Sequence, residues 1–424
     1  YGQDYRRLLE AYGDLLYEKR KPLQWKGSIP FGFNSWAGLA FRLNEDNYQK
    51  TAAFLREELR PAGYQSGGAT YANLDAGWSA IPEEHLPMIV KALHAKGQKA
   101  GIYDAPFAFF GEDPEEEIPG APGHVYAEIL LKDTCGKPLP RVDGAIPYDV
   151  THPIWQQQML WKLDRFVKWD FDYVKLDFMS HGGMEGCRYA EDVRTGRQAI
   201  MRGYELLTDF LSEEKIGKPF FISLSIAPLF PCGYGHARRF SCDAFGTDED
   251  VEYVLNAQTY AWWQSGRLYQ YNDPDHICLL RSFCMERDST EGEARARYTS
   301  AVTAGTVMML SDDYENPAAR ERALRFAGNR RINELAAKGI AFCPAESAGS
   351  SAATVYTANV DGRQYVALFH WKKERENVRV DCGRAGIGTG RRYRELWSGV
   401  EFGDEAGEIC WQAEGCDAVI LEEI

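Results

Sequence analysis

Carboxylate side chains come last in several short apolar runs of this sequence. Asp75, Asp177 and Asp243 each end such a run, whereas histidine is scarce at the corresponding positions. Two carboxylates on opposite sides of an acetal can hydrolyse it, because one attacks the anomeric carbon while the other protonates the leaving oxygen. The residue types therefore favour cleavage of a glycosidic bond, a reaction that requires neither a metal nor another cofactor.

A lysine stands two residues before the second of these acids. The alternation of a β-strand places Lys175 and Asp177 on the same face, so the cation would keep Asp177 ionised, as a nucleophile requires. The same pattern is also typical of a buried ion pair that only closes a barrel. For Asp243, the alternative is a helix N-cap ahead of the helical stretch 247–263.

The elements that position these acids follow a repeating βα pattern. Between about residues 30 and 310, short β-rich runs alternate with amphipathic stretches, which indicates parallel strands. The predicted strands lie near 31–34, 71–75, 99–103, 173–177, 220–223, 240–243, 268–271 and 307–310. Eight such strands favour a closed barrel, whose active site lies at the carboxyl ends of the strands.

Three regions are predicted along the chain. Residues 1–26 are interpreted as a helix and linker, and residues 27–340 as the catalytic barrel. Over 341–424 the pattern changes to alternation with turn signals, including Asp361-Gly362. The predicted fold class is therefore α/β, a (β/α)8 TIM barrel followed by a C-terminal antiparallel β-sandwich domain.

Within the barrel region, helices are predicted over 46–59, 153–168 and 317–337. The segment 105–150 is long and rich in Pro, Gly and acidic residues. Segments of this length commonly form walls or lids of a functional site, although an acidic run is also typical of a solvated loop.

Composition narrows the possible partners. The net charge of −14 argues against nucleic acid, and no apolar run is long enough to cross a bilayer, so a soluble protein with no membrane partner is expected.

The ten cysteines form no CxxC pair and show no zinc-ligand spacing. Free thiols suit a reducing compartment and favour the cytoplasm, with a disulfide among Cys382, Cys410 and Cys416 as the alternative. The chain begins at Tyr1 rather than Met, which is compatible with removal of a leader. The oligomeric state is not indicated.

Motifs at the predicted strand ends resemble those of glycoside hydrolase family 27 and its relative family 36, across most of residues 30–315. In chain order they are GFNSW at 32–36, NLDAGW at 73–78, KGQKAGIY at 96–103, DYVKLD at 172–177, RFSCD at 239–243, NDPD at 272–275 and MLSDD at 309–313. Each motif alone is weakly specific, whereas their order and spacing together are specific.

The resemblance implies roles for particular residues. Asp177 would be the nucleophile and Asp243 the general acid/base. Asp75 and Lys175 would hold sugar hydroxyls, especially those at C4 and C6. The remaining residues implied to bind substrate are Trp36, Tyr103, Ser225, Arg239 and Asp275. For Arg239 the alternative is that it only orients the neighbouring acid.

Three positions bear on the sugar. Ala76 replaces the second acid of the family motif and Phe33 replaces its first tryptophan, which affects recognition of the C4 and C6 end. Ser225 stands where galactose-specific relatives carry Glu, and a small residue there makes room for a 2-acetamido group.

The resemblance therefore implies a retaining exo-α-glycosidase that removes terminal α-linked N-acetylgalactosamine or galactose from an oligosaccharide or glycoconjugate. Retention predicts a separation of about 5 to 5.5 Å between the carboxyl groups of Asp177 and Asp243. Two alternatives stay open. The first is a related glycosidase acting on a β-L-arabinopyranoside or an α-glucoside, which Ala76 would favour, and the second is a non-catalytic carbohydrate-binding barrel.

Overall fold

Eight parallel strands form the central sheet of the computed structural model, which describes residues 4–305, 307–345 and 351–424. The strands are β1 (Phe31–Asn34), β2 (Tyr71–Asn73), β3 (Lys99–Asp104), β4 (Tyr173–Leu176), β5 (Phe221–Leu224), β6 (Ala237–Arg239), β7 (Tyr271–Asp273) and β8 (Met308–Leu310). Each strand pairs with the next along the chain from β1 to β7, and β1 also pairs with β8. A parallel bridge between Ile277, just after β7, and Leu310 of β8 completes the ring. The predicted barrel is confirmed.

Two strand positions were predicted wrongly. The run 240–243 is not a strand, because β6 occupies 237–239, and the run 268–271 shares only Tyr271 with β7, which occupies 271–273. Two of the three residues of β6 are arginines, a composition that suggests a solvated loop. In the fold Arg239 is buried, and the carbonyl of Ala227 accepts a hydrogen bond from Arg238. Residues 240–243 form the loop that follows β6.

Helices cover the outside of the barrel. Their bounds are α1 (Tyr5–Lys19), α2 (Trp36–Leu39), α3 (Glu45–Phe54), α4 (Arg60–Ala62), α5 (Leu86–His94), α6 (Tyr126–Ile129), α7 (Pro153–Lys168), α8 (Gly196–Phe210), α9 (Glu213–Ile216), α10 (Asp248–Ala261), α11 (Glu291–Thr303), α12 (Pro317–Phe326), α13 (Arg330–Ala336) and α14 (Cys382–Ala385). The single helix predicted over 317–337 is thus two helices. Asn329 caps the second of them, since its side chain accepts a hydrogen bond from the backbone of Ile332.

Sequence features explain where the long helices begin. Thr195, Thr247 and Thr290 form capping boxes at the starts of α8, α10 and α11. Helix α7 buries an apolar face that includes Trp155 and Leu163. These helices pack against the barrel core, so the loops after the strands start from fixed strand ends.

The C-terminal region is antiparallel. Its strands are β9 (Cys343–Pro344), β10 (Val355–Val360), β11 (Arg363–His370), β12 (Glu376–Asp381), β13 (Arg392–Glu395), β14 (Glu401–Gly403), β15 (Glu408–Ala413) and β16 (Asp417–Glu423). Six of them form one sheet, and β12 pairs with β15 in a second sheet. The predicted turn connects β10 to β11, and both Asp361 and Gly362 have the positive φ of a tight hairpin. Arg295 of α11 forms a two-pronged ion pair with Asp417, at 2.7 and 2.6 Å, which joins this domain to the barrel.

The segment 105–150 is packed against the barrel. Residues 108–109 pair with 146–147 in a short antiparallel hairpin. Phe107 contacts Trp155 of α7 with ring centroids 5.7 Å apart, and Tyr126 lies against Phe109 at 4.6 Å. The segment therefore forms a wall beside the carboxyl end of the barrel.

All ten cysteines lie in the described ranges, and none of them forms a disulfide. No helix within the described part of the chain combines the length and apolar character needed to cross a bilayer.

Candidate active site

A cavity of about 590 Å³ opens at the carboxyl ends of the barrel strands. Six of the predicted site residues line it: Trp36, Asp75, Tyr103, Lys175, Asp177 and Asp243. Its other lining residues are Phe41, Ala76, Gly77, Trp78, Ser79, Asp104, Ala105, Ala108, Phe110, Lys162, Phe178 and Ile226. Apart from Lys162 of α7, the lining residues lie at or after the carboxyl ends of six strands, β1 to β6, as is usual at the active end of such barrels.

The floor of the cavity is an ion pair. Nζ of Lys175 lies 2.9 Å from Oδ2 of Asp75, and both side chains are buried. Asn34 also donates to Oδ2 of Asp75, at 2.6 Å, and the backbone N–H of Ala76 donates to Oδ1 at 2.7 Å. Burial opposes ionisation of Asp75, but Lys175, His276 and the backbone N–H of Ala76 hold the pKa of its carboxyl below the usual range. Asp75 is therefore an anion that can accept hydrogen bonds from sugar hydroxyls.

Lys175 is a cation throughout the neutral range. Burial alone would lower its pKa, yet the surrounding carboxylates, with Asp75 first, raise the pKa above its usual value. Its ammonium group lies 3.9 Å from Oδ2 of Asp177 and 5.6 Å from the ring centre of Tyr103. Lys175 thus lies between two acids, and its shorter contact is with Asp75.

Asp177 follows β4 directly. Its backbone N–H donates to the carbonyl of Asp104 at 2.9 Å, which continues the pairing of β3 with β4 by one residue. Oδ1 of Asp177 accepts a hydrogen bond of 2.8 Å from the backbone of Phe178. Phe178 has a positive φ of 53°, a conformation uncommon for a bulky residue. This sharp turn ends the strand and leaves the Asp177 side chain on the cavity.

Asp243 lines the same cavity from the loop after β6, two strands along the barrel from β4. Nη1 of Arg239 lies 2.7 Å from its Oδ1. The N-cap of α10 is Thr247, so the alternative that Asp243 caps this helix is wrong. The Asp243 side chain is 44% exposed, whereas that of Asp177 is 9% exposed. One carboxylate of the pair is enclosed and the other is open to water.

Arg239, Asp275 and Ser225 do not line the cavity but lie buried around it. Arg239 lies 3.4 Å from Asp275, and the backbone of Ala244 donates to Asp275 at 2.8 Å. Burial opposes the charge on Asp275, but His276 and Arg239 hold its pKa well below the usual range. Asp275 therefore supports the loop that carries Asp243. After β5, Ile226 contacts the cavity, whereas its neighbour Ser225 does not.

Several cavity residues were missed by sequence reasoning. Trp78 ends the motif at 73–78, and Asp104 directly follows the motif at 96–103 and is the last residue of β3, so both could have been proposed from their positions. Lys162 stands in the middle of α7, and its Nζ reaches Oδ1 of Asp104 at 2.8 Å. Phe110 comes from the segment 105–150. Nothing in the local sequence marks these last two residues.

A separate cluster has the composition of a metal site. The ligand atoms of Asp248, Glu293 and Cys416 lie within 4.8 Å of one another, where α10 and α11 meet the C-terminal domain. Arg287 donates to both carboxylate oxygens of Glu293, at 2.8 and 2.6 Å. A protein cation therefore already balances charge here, and none of the three residues lines the cavity.

One characterised enzyme resembles this chain in sequence. No family model matches the chain. Over 282 residues, the chain is 27% identical to α-galactosidase A of Aspergillus niger, a match that covers 58% of this chain and 42% of that enzyme. The chain thus spans less than half the length of this relative.

Solved structures share the fold. A family 27 β-L-arabinopyranosidase from Geobacillus stearothermophilus superposes with a TM-score of 0.74 at 16% identity, over 94% of this chain and 98% of that chain. For α-galactosidase I of Mortierella vinacea the TM-score is 0.64 at 15% identity, over 94% and 97%. These matches confirm the fold and, with the sequence match, the resemblance to glycoside hydrolase family 27.

Proposed function

We propose that the protein is a retaining exo-α-glycosidase that removes a terminal α-linked N-acetylgalactosamine or galactose. The observation that carries this proposal is that Asp177 and Asp243 share one cavity at the carboxyl end of the barrel. Glycosidases of most families act through such a pair of carboxylates. The 27% sequence identity to an α-galactosidase over 282 residues supports the same class of reaction.

In the proposed reaction, Asp177 attacks the anomeric carbon while Asp243 protonates the departing oxygen, which yields a glycosyl ester on Asp177. Asp243 then accepts a proton from water, and the water oxygen cleaves the ester with overall retention. Lys175 and the backbone N–H of Phe178 stabilise the Asp177 anion before attack. The exposure of Asp243 gives the hydrolytic water a route to this acid.

The floor would hold the far end of the sugar. Asp75 and Lys175 are buried, charged and within hydrogen-bond distance of each other. Paired groups of this kind bind adjacent hydroxyls well, because one accepts hydrogen bonds and the other donates them. A sugar lacking those hydroxyls would displace water from Asp75 and Lys175 without replacing its hydrogen bonds, which disfavours that sugar.

The loop after β5 would face the C2 substituent of the sugar. Ile226 presents an apolar surface to the cavity beside the small residue Ser225. An acetamido methyl group can contact such a surface, whereas no carboxylate of this loop lines the cavity to bind a 2-hydroxyl. This favours N-acetylgalactosamine over galactose.

A second candidate is a β-L-arabinopyranosidase. Ala76 lines the cavity where the family motif has an acid, so the wall beside Asp75 offers one fewer acceptor to a C6 hydroxyl. β-L-Arabinopyranose matches galactose in configuration but has no C6 group. The fold similarity to the Geobacillus arabinopyranosidase is compatible with this sugar.

The test is hydrolysis of a panel of 4-nitrophenyl glycosides: the α-galactoside, the α-N-acetylgalactosaminide, the β-L-arabinopyranoside and the α-glucoside. We expect one of the first two to be preferred and Asp177→Asn to lower kcat by about 10³-fold or more. Asp170→Asn is the matched control, since Asp170 is an exposed acid before β4 that pairs with Lys218.

The anomeric form of the first-released sugar, followed by proton NMR, tests retention. Loss of the whole panel in the wild type, or an Asp177→Asn variant as fast as the wild type, would exclude the assignment. Preference for the arabinopyranoside would support the second candidate and keep the catalytic pair.

A further inference from the structure

The cavity has an enclosed half and an exposed half. Asp75, Lys175 and Asp177 form the enclosed half, each with no more than 6% of the residue exposed. Phe41 and Phe110, at 84% and 44% exposure, lie on the other half. A volume of about 590 Å³ is within the range of about 300–1,000 Å³ that accommodates drug-sized ligands. The cavity therefore has room for a group attached to the terminal sugar.

The cavity also contains a polar pair that the proposed reaction does not use and whose side chains are more exposed than those of the enclosed half. Lys162 reaches over from α7 and its Nζ lies 2.8 Å from Oδ1 of Asp104 at the end of β3. The two side chains are 28% and 12% exposed. The other oxygen of Asp104, Oδ2, is buried and has no hydrogen-bond partner among the described residues. The pair thus has unused capacity to accept and donate hydrogen bonds.

Aromatic rings accompany this pair. Phe110 meets Phe178 edge to face, with ring centroids 4.8 Å apart, and Phe178 directly follows Asp177. Phe41 meets Trp36 in the same way at 5.3 Å. The rings of Phe41 and Phe110 both line the cavity, so they offer an apolar surface to a ligand. Apolar ring faces beside charged hydrogen-bonding groups suit a pyranose, which has C–H faces and hydroxyl edges.

We propose that Lys162, Asp104 and Phe110 form a subsite for a pyranose leaving group. The inference rests on the proposed function, because it assigns the group that Asp243 protonates. A terminal sugar enters first and reaches the enclosed floor, so the unit attached to it lies in the exposed half, on the solvent side of Asp243. An apolar leaving group would leave the Lys162–Asp104 pair desolvated without new hydrogen bonds, which favours a sugar.

The experiment compares one glycone on two leaving groups, 4-nitrophenol and glucose. With galactose as glycone, the substrates are 4-nitrophenyl α-galactoside and galactosyl-α-(1→6)-glucose; if the panel selects another glycone, the corresponding pair is used. We expect Lys162→Met to lower kcat/KM for the disaccharide about tenfold and to change that for the aryl glycoside less than twofold. Asp104→Asn should act in the same direction.

Lys168→Met is the matched control, because Lys168 also lies on α7 but is 71% exposed, pairs with Asp164 and does not line the cavity. It should leave both substrates unchanged. Equal losses on both substrates in Lys162→Met, or no loss on either, would overturn the subsite. Release of the two non-reducing-end units of a trisaccharide together, as a disaccharide glycone, would also overturn it, since the exposed half would then hold part of the glycone.

The ratio of transfer to glucose over hydrolysis by water also tests the subsite, and this ratio does not depend on the amount of folded enzyme. With the aryl glycoside as donor and glucose added, a glucose hydroxyl attacks the anomeric carbon of the Asp177 ester, the ester C–O bond breaks, and Asp243 takes the hydroxyl proton. The ratio of this transfer product to free sugar should fall several-fold in Lys162→Met and stay unchanged in Lys168→Met. A wild type that cleaves neither substrate would instead refute the proposed function.

Discussion

Nη1 of Arg239 lies 2.7 Å from Oδ1 of Asp243. The arginine side chain is 4% exposed, whereas that of Asp243 is 44% exposed. A buried cation that the barrel holds in place therefore orients the more exposed acid of the pair. Arg239 belongs to β6 itself, so the position of the proposed acid/base depends on the barrel rather than on its own loop.

Replacing Arg239 should affect both activity and stability. In Arg239→Met, Asp275 stays buried without its arginine, and breaking a buried pair costs about 3–5 kcal/mol. We expect the free energy of unfolding in urea to fall by this order, and kcat to fall because Asp243 loses its orientation. Arg239→Lys keeps the charge but not the planar guanidinium, so it should recover stability more than kcat. A wild-type kcat in Arg239→Lys would contradict the positioning role.

Lys175 should contribute to stability through the two acids beside it. Lys175→Met leaves Asp75 buried without its cation, at a cost of about 3–5 kcal/mol in unfolding free energy. Adding Asp75→Asn should recover part of this loss, because the unpaired charge is removed. A double-mutant cycle in urea measures the coupling, and purely additive losses would show that the pair at 2.9 Å contributes nothing.

Asp177 and its strand could be predicted because the signal is local. Strand alternation places Lys175 and Asp177 on one face whatever the tertiary packing, and β4 indeed ends at Leu176, just before the acid. Asp75 and Tyr103 follow from the same logic at β2 and β3. The fold class was predictable for a related reason, since eight βα units leave few other arrangements.

The remainder of the site depends on tertiary contacts. The run 240–243 looks more strand-like than the Arg-rich β6, because burial of Arg239 relies on acids far away in sequence, such as Asp275. Lys162 contacts Asp104 only because α7 packs against β3, and the two residues are 58 positions apart. Such contacts have no period or motif in the chain, so sequence reasoning could not find them.

Asp312 should make stability depend on pH in the opposite sense to a typical acid. Its carboxylate accepts three backbone N–H bonds, from Leu279, Leu280 and Arg281, at 2.7 to 2.9 Å. Burial nevertheless raises its pKa from the ordinary value of 3.8 to about 6. The folded state holds the proton of Asp312 more tightly than the unfolded state does. The protonated carboxyl therefore contributes fully to the free energy of unfolding below pH 3.8, and this contribution is lost as the pH rises through about 6.

The comparison with Asp312→Asn isolates this contribution. The difference in unfolding free energy between the wild type and the variant should shrink by up to about 3 kcal/mol from pH 4 to pH 7, since each unit of pKa shift corresponds to about 1.4 kcal/mol. Urea unfolding at several pH values measures it. A difference that grows with pH would show that the backbone donors outweigh burial.

Asp243→Ala should slow hydrolysis in proportion to the basicity of the leaving group. Nitrophenolate departs without a proton, so attack by Asp177 on the aryl glycoside needs little acid assistance, whereas glucose leaves poorly as an alkoxide. We expect kcat/KM to fall by about 10²–10⁴-fold for the disaccharide, and far less for the aryl glycoside. The glycosyl ester should then accumulate, and its formation should be seen as a burst of nitrophenol, because the base that activates water is gone.

Added azide needs no base and should restore turnover of the aryl glycoside by Asp243→Ala, giving a glycosyl azide with the substrate's own anomeric configuration. Azide of the opposite configuration would mean that it attacked the substrate directly, and Asp243 would not be the acid/base of a retaining reaction.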